Sequence, residues 1–394
     1  MRIVLYEMKK IWNVKLLLSV AVLCALFYSM FMGFYIKYFP NGHSDTEEVD
    51  YSIQMTKQYG PTLEADEYAE FIAKTREELI SQAEAYIKNN PVFSKVGIYT
   101  YADYEKVHEN QANTEAESDA IWTLLGDECD FVQFKLQALN SIEENYHYYP
   151  EYALKNAISE ATGKKELARL TEIQKKEEYR NIMDGWVIEN TVTYTIYLAI
   201  LAVLAVLVFV SPLIVTDRAR NVHLLQYTAK RGRRILKHQL IAVILSAFLM
   251  TTALILSFGA IYSMNGTWLL WNNGLTSFLN FMATFFWFDI TYGQYIVLSI
   301  VLLYILCLGA AAIAFVLSRF SQNLITLILK LIPAFGVLGA LCFSVFNCTL
   351  SSKNALYTGT GIVGIEPIIC GLVLIAGLAV SFRILRRERE VDVI

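Results

Sequence analysis

Residues Val192–Val215 read VTYTIYLAILAVLAVLVFVSPLIV, twenty-four positions without a charge. A helix rises 1.5 Å per residue, so about 20 apolar residues cross the roughly 30 Å hydrocarbon layer of a bilayer. This block is long enough to do so. Immediately after it the sequence turns polar, at Asp217-Arg218, and stays basic as far as Lys237. An apolar helix that stops at a basic segment is the pattern of a membrane span ending at its cytoplasmic face.

Blocks of the same kind lie on either side: Leu16–Ile36, Leu240–Tyr262, Ile296–Leu317, Leu324–Phe346 and Gly361–Phe382. Their only acidic or basic residues are Lys330 and Glu366. The sequence therefore predicts an all-α polytopic membrane protein with six transmembrane helices, over 16–38, 191–216, 239–263, 295–318, 324–347 and 361–383. The first block exceeds the 7–15 residues typical of a signal-peptide core, and no small-residue cleavage site follows it, so it reads as a retained span. A seventh apolar stretch, Leu275–Ile290, is shorter. Leu275, Phe278, Leu279, Met282, Phe285 and Phe286 share one helical face there. It is expected to form an interfacial or re-entrant helix within an extracellular loop, 264–294.

Charge orients the spans. Of 394 residues, 18% are charged, with a net charge of −4. Residues 40–190 hold thirty acidic and fourteen basic side chains, a net −16, and the remainder carries +12. The basic groups cluster before the first span (Arg2, Lys9, Lys10, Lys15), between the second and third, at Arg319, and after the sixth. With six spans all of them fall on one side, which the positive-inside rule makes cytoplasmic. The expectation is a plasma-membrane protein with both termini inside: an interfacial helix at 1–15, a cytoplasmic loop at 217–238, an extracellular loop at 348–360 and a cytoplasmic tail at 384–394. Residues 39–190 lie outside. So acidic a segment would repel phosphate, which argues against nucleic-acid partners.

The 39–190 segment is long enough for its own core and is patterned as helix. Tyr68, Phe71, Ile72, Leu79, Tyr86 and Ile87 keep helical spacing across Asp66–Asn89, which Pro91 ends. Ala112–Asn140 and Glu151–Tyr179 read as helices interrupted at Gly126 and Gly163. Gly97–Tyr101 is the one strand-like stretch. The last helix is expected to run through Glu177 and Trp186 into the second span. Tyr146–Tyr152 is rich in tyrosine and reads either as core or interface packing or as a binding patch.

Few motifs carry chemistry. There is no G-x-x-x-x-G-K-[ST] loop, so the chain is not expected to hydrolyse ATP or to bind a nucleotide cofactor, and it is not read as an enzyme. Gly359–Gly364 fits G-x-G-x-x-G, but no strand precedes it, and close helix packing is the better reading. The five histidines and six cysteines form no metal-ligand spacing. Glu366, beside Pro367 one turn into the sixth span, is either an intramembrane functional charge or a group that caps a kinked helix or reaches the interface. The segment Asp217–Gln239 is more ordered than a generic basic loop. Val222, Leu225 and Gln226 share one helical side, Leu224 and Leu225 are apolar beside the charge, Gly232 makes a turn, and a basic helix leads into the third span. This suits docking into a groove on a cytoplasmic partner.

At these residues the chain resembles the permease subunits of type-2 ABC exporters. Their members commonly open with an interfacial helix like Glu7-Met-Lys9-Lys10. After the second span they carry a pattern filled here by Asp217-Arg218, Tyr227-Thr-Ala-Lys-Arg-Gly-Arg-Arg234 and Lys237, with Asp in place of the usual Glu and without the usual proline. One branch has a large extracellular domain between the first two spans. The resemblance implies that the 217–237 loop is a coupling helix docked on a separate ATPase through Asp217, Arg218, Val222, Leu224, Leu225, Tyr227, Thr228, Arg231, Arg233, Arg234 and Lys237, with Glu7, Lys9 and Lys10 forming an N-terminal interface. It implies two ATPase copies carrying ATP and Mg, a second permease identical or similar to this one, and surrounding lipid. The implied task is export of a hydrophobic or amphipathic substrate such as a peptide, an antimicrobial or a lipid-like molecule. The rival is an ABC-coupled sensing or mechanotransmission protein that binds a ligand outside without moving it.

Overall fold

A computed structural model describes residues 2–40, 43–110, 112–220, 222, 235–280 and 285–390. Six of its helices are long and apolar enough to cross a membrane: Val14–Met32, Gly185–Ala219, Ile235–Asn265, Tyr292–Arg319, Leu324–Phe346 and Ile365–Arg387. Among the described residues there is no β-strand, only isolated bridges. The chain is an all-helical, multi-pass membrane protein. Hydrocarbon offers no water to bond to, so a spanning segment must satisfy its backbone internally, and the helix does that.

The chain divides into two compact units, Met1–Lys37, Thr191–Gly266 and Gln294–Ile394 forming one, Tyr38–Asn190 and Thr267–Gly293 the other. The first unit holds the spans. Its second span is the central one, with 78% of its apolar window buried, against 6% in the first span and 11% in the fifth. The outer spans therefore turn most of their apolar surface outward, as lipid-facing helices do. Local chemistry sets the span ends and bends. Asn13 caps the first span, its side chain accepting from the Lys15 N–H. Asn323 and Thr326 form a capping box at the start of the fifth. The second span is interrupted at Ser211, where Pro212 brings no N–H to continue the ladder.

Between His43 and Lys176 the second unit is built of helices, from His43–Tyr59 and Ala65–Asn89 to Lys164–Lys176. Helix Val132–Tyr148 packs against the first two of these. Met55, Leu63, Phe93, Tyr104, Leu139 and Ile142 are fully enclosed. The helix starts are written in the sequence: Thr100 with Asp103, and Thr114 with Glu117, form capping boxes. Breaks expected at Gly126 and Gly163 occur, since helices end at Leu125 and Glu160.

Four expectations are corrected. The Leu275–Ile290 stretch is not a helix in its described residues; it belongs to the second unit, where Leu275, Phe278, Leu279 and Phe286 are core. It is held by polar side chains that composition does not reveal. Asn273 donates to the Thr56 hydroxyl and the Ile182 carbonyl, and Ser277 bonds to Asn181 and Met183. Gly274 is required there, because a Cβ would lie 2.3 Å from the Asn181 amide. Second, Gly97–Tyr101 is a turn leading into helix Tyr101–His108, since its N–H groups bond locally, Ile98 to the Phe93 carbonyl and Tyr99 and Thr100 to the Asp103 carboxylate. Third, helix Lys164–Lys176 stops where Glu177 turns left-handed (φ 52°), and a new helix begins only at Gly185. Fourth, Gly361 and Gly364 supply positive φ (68° and 71°) rather than close packing.

Within the Tyr146–Tyr152 run, Tyr146 stacks on Tyr68 at 3.6 Å and meets Phe278 edge-on, and Tyr149 is buried. Core packing accounts for these two. Tyr148 and Tyr152 stack on each other and stay exposed.

Arg169 is the polar keystone of this unit. It is 5% exposed, donates from Nε to the Phe286 carbonyl at 2.9 Å, and grips Glu178 with both terminal nitrogens. Losing one member of a buried pair strands the other. Arg169→Ala is expected to destabilise this unit by about 3–5 kcal/mol, and Arg169→Met with Glu178→Leu by markedly less. Thermal unfolding of the purified chain, with limited proteolysis between residues 160 and 290, measures the difference.

Candidate functional site

The N-terminal helix Arg2–Ile11 lies along the third span. It turns Glu7 and Ile11 inward and leaves Leu5 and Tyr6 exposed. Trp12 fixes its end, donating to the Ser246 hydroxyl at 3.1 Å and meeting Phe209 of the second span edge-on.

This packing brings together residues that the sequence keeps more than 200 positions apart. Lys10 Nζ donates to Glu7 Oε1 at 2.9 Å and to Asp217 Oδ2 at 2.9 Å. Gln239 Nε2 donates to Glu7 Oε2 at 3.1 Å and to Asp217 Oδ2 at 2.9 Å. Glu7, Asp217 and Gln239 are buried, whereas the Lys10 side chain is 38% exposed. Two carboxylates thus share an ammonium and an amide, which together supply enough N–H donors for both. Burial tends to lower the Lys10 pKa, but hydrogen bonds to Asp217 and Glu7 outweigh it and hold the pKa above the ordinary lysine value.

Glu7, Lys10 and Asp217 were each singled out in the sequence, and the structure joins them. Gln239 was not. Its signal is a lone amide at the mouth of an otherwise apolar block. Lys9 and Lys237 are exposed, and Val222 is half-buried. Leu224, Leu225, Tyr227, Thr228, Arg231, Arg233 and Arg234 lie outside the described residues.

Arg218 is engaged within the chain. It donates to the Ser321 and Arg319 carbonyls, at 2.6 Å and 3.0 Å, where the fourth span ends. Lys330 donates to the Phe320 carbonyl between them. A helix C-terminus exposes unpaired carbonyls and partial negative charge, so both cations suit it. Glu366 is 1% exposed and accepts the Leu350 N–H at 2.9 Å, stabilising a turn in which Leu350 has φ 60°. It does not reach out to an interface. Among the described residues no group of three or more histidines, cysteines or acids is placed to hold a metal.

A further buried acid escaped the sequence reading. Asp184 precedes the helix that begins at Gly185 and accepts the Trp186 N–H at 2.7 Å. The helix end favours a carboxylate there. Complete burial outweighs that, and with Glu48 nearby it pushes Asp184 up to about 8. Burial also raises the Glu48 carboxyl.

The chain matches no family model, no curated protein and no solved structure.

Two predictions follow from these carboxyls. Lys10→Met leaves Glu7 and Asp217 short of a cation, at a cost of about 2 kcal/mol, reduced from the fully buried case because Lys10 is partly solvated. Adding Glu7→Gln and Asp217→Asn is expected to recover most of the loss in a melting experiment. Asp184 behaves differently. The folded protein keeps this proton up to about pH 8, while the unfolded chain releases it near 3.8. Between those values the folded state binds more protons, so this group's stabilisation is complete below 3.8 and fades as pH rises to 8. Asp184→Asn should therefore melt with a shallower decline than wild type between pH 5 and about 8, measured as Tm against pH.

Proposed function

We propose that this chain is the membrane-spanning subunit of an exporter driven by a separate ATPase. It works in a pair, with itself or a similar permease, beside two ATPase copies that hold ATP and Mg. In this reading both termini and the 217–238 loop are cytoplasmic, residues 39–190 are extracellular, and the substrate is hydrophobic or amphipathic.

The observation that carries the reading is the cluster of Lys10, Glu7, Asp217 and Gln239. Asp217 closes the second span and Gln239 opens the third, so the cluster grips both ends of the basic segment between them and ties each to the N-terminal helix. A force applied to that segment by a partner reaches two spans and the N-terminal helix together. An energy-coupled transporter needs such a link, since a partner shifts a conformational equilibrium only through contacts that differ between its states. Arg218 has its role inside this link, on the fourth span, which leaves the later residues of the loop to meet the partner.

The test begins with co-purification of an ATPase subunit on the tagged chain. In vesicles carrying the complex, Leu225→Asp, or Arg233→Glu with Arg234→Glu, is expected to lower ATP-dependent substrate accumulation at least tenfold while the chain still inserts and ATP is still split, a loss of about 1.4 kcal/mol of coupling. Full coupling in those variants refutes the docking. Partner-stimulated hydrolysis with no accumulation of any amphipathic substrate would favour a sensing complex instead.

A further inference from the structure

The fourth, fifth and sixth spans enclose a groove of about 540 Å³. That volume is in the range of small-ligand sites, roughly 300–1,000 Å³. All eleven residues lining it are hydrocarbon side chains, proline or glycine, including Ile313, Pro333, Ala334, Val337, Gly377 and Val380. The floor is a close approach of the fourth and sixth spans. A Cβ on Gly377 would lie 3.0 Å from the Ala312 Cβ, and one on Gly309 would lie 2.9 Å from Val373. The side is open: Val337 is 64% exposed and Val380 is 46% exposed. An apolar slot open sideways between spans faces the acyl region of a bilayer.

One end of this slot is basic. Lys330 lies one turn before Pro333 and Ala334, and Arg383 one turn beyond Val380. Arg319, Arg386 and Arg387 lie at the same end of these spans. No Asp or Glu occurs between 313 and 341 or between 373 and 387. Lys330 is anchored at that end by its bond to the Phe320 carbonyl, and Arg383 is exposed. A slot for hydrocarbon that ends in cations is complementary to a single kind of molecule, one with a long apolar tail and an anionic head.

We propose that this groove is a binding site for an anionic phospholipid. One acyl chain lies against Ala334, Val337 and Gly377, and the phosphate sits at Lys330 and Arg383. The site requires only that the chain be embedded in a bilayer, so it stands whether or not the protein exports anything.

The experiment uses the full chain purified in detergent, exposed to equal amounts of phosphatidylglycerol and phosphatidylcholine with identical acyl chains. Retained lipid is counted by native mass spectrometry. Wild type is expected to retain phosphatidylglycerol preferentially. Lys330→Gln and Arg383→Gln should each cut that preference about fivefold, the contribution of one basic side chain near an anionic headgroup. Ala334→Phe with Val337→Phe fills the slot and should lower retention of both lipids. If that pair fails to insert, Ala334→Ile is the gentler filling, and Ile332→Phe, on the exposed face of the same span, is the control expected to change nothing. Equal retention of the two lipids by wild type overturns the proposal. So does full phosphatidylglycerol retention in a well-folded filled variant, which would place the lipid on the surface. A filled variant that retains lipid but loses a dimer seen for wild type would make the groove a contact between copies, and would also overturn it.

Discussion

A backbone carbonyl at the end of a membrane helix has no partner in its own ladder and little water to turn to. Several polar residues in and beside the apolar blocks answer to that constraint or to its counterpart for an N–H. Arg218 and Lys330 bond to three successive carbonyls where the fourth span ends. Asn354 serves two helices with one side chain: its amide donates to the Ser344 and Asn347 carbonyls at the end of the fifth span, and its oxygen accepts the Leu356 N–H of the next helix. Glu366 takes the N–H of the strained Leu350. Charge within a span is by default a pointer to function. Here Glu366 has backbone work of this kind through one oxygen, and the bond of Lys330 to the Phe320 carbonyl holds that cation at the basic end of the groove.

The cluster around Lys10 has no comparable backbone duty, and there the energetic argument runs the other way. Bringing Glu7 and Asp217 out of water is costly, and hydrocarbon side chains of similar volume would pack as well or better. What a fully satisfied polar cluster adds is position. Lys10 and Gln239 each have two acceptors to reach, so the N-terminal helix can sit against the second and third spans in one register only. An apolar face sliding on an apolar face would lack that restriction.

The spans were legible because their signal is length and the absence of charge, which no tertiary contact can overrule in a bilayer. The capped helices of the polar unit were legible for a related reason: Thr100 with Asp103 and Thr114 with Glu117 are local patterns with local causes. The segment 267–293 was not legible. An aromatic, apolar stretch of that length has the same composition whether it lies at an interface or fills a core. What decides between them is Asn273 finding Thr56 and Arg169 finding the Phe286 carbonyl, contacts across more than 100 residues. The break after Lys176 was hidden for the same reason, since Glu177 is an ordinary helix former held in a left-handed turn by its surroundings. In the candidate site, Glu7, Lys10 and Asp217 stood out as charges beside apolar blocks. Gln239 did not, because an uncharged amide barely disturbs the hydropathy of the block it borders.

Two of the chain's buried carboxyl arrangements meet the same cost in opposite ways. Asp217 is supplied by Lys10 and Gln239 from other helices, and Glu7 by Gln239 as well as by Lys10 of its own helix, so their burial is compensated by fixing where those helices lie. Asp184 accepts the backbone N–H groups of Trp186 and Val187, its second oxygen has no hydrogen-bond partner among the described residues, and the charge that weighs most on it is the carboxyl of Glu48. Without a cation, the burial cost falls on the proton equilibrium, and Asp184 stays protonated well into the neutral range. The first solution makes geometry depend on side-chain pairing; the second makes stability depend on pH. They fall in different units, the first in the unit that holds the spans and the second in the acidic unit. Charge supply does not explain that division, since the acidic unit gives its buried Glu178 both terminal nitrogens of Arg169. Asp184 differs because what faces it is backbone N–H and a second carboxyl, so only a proton can neutralise it.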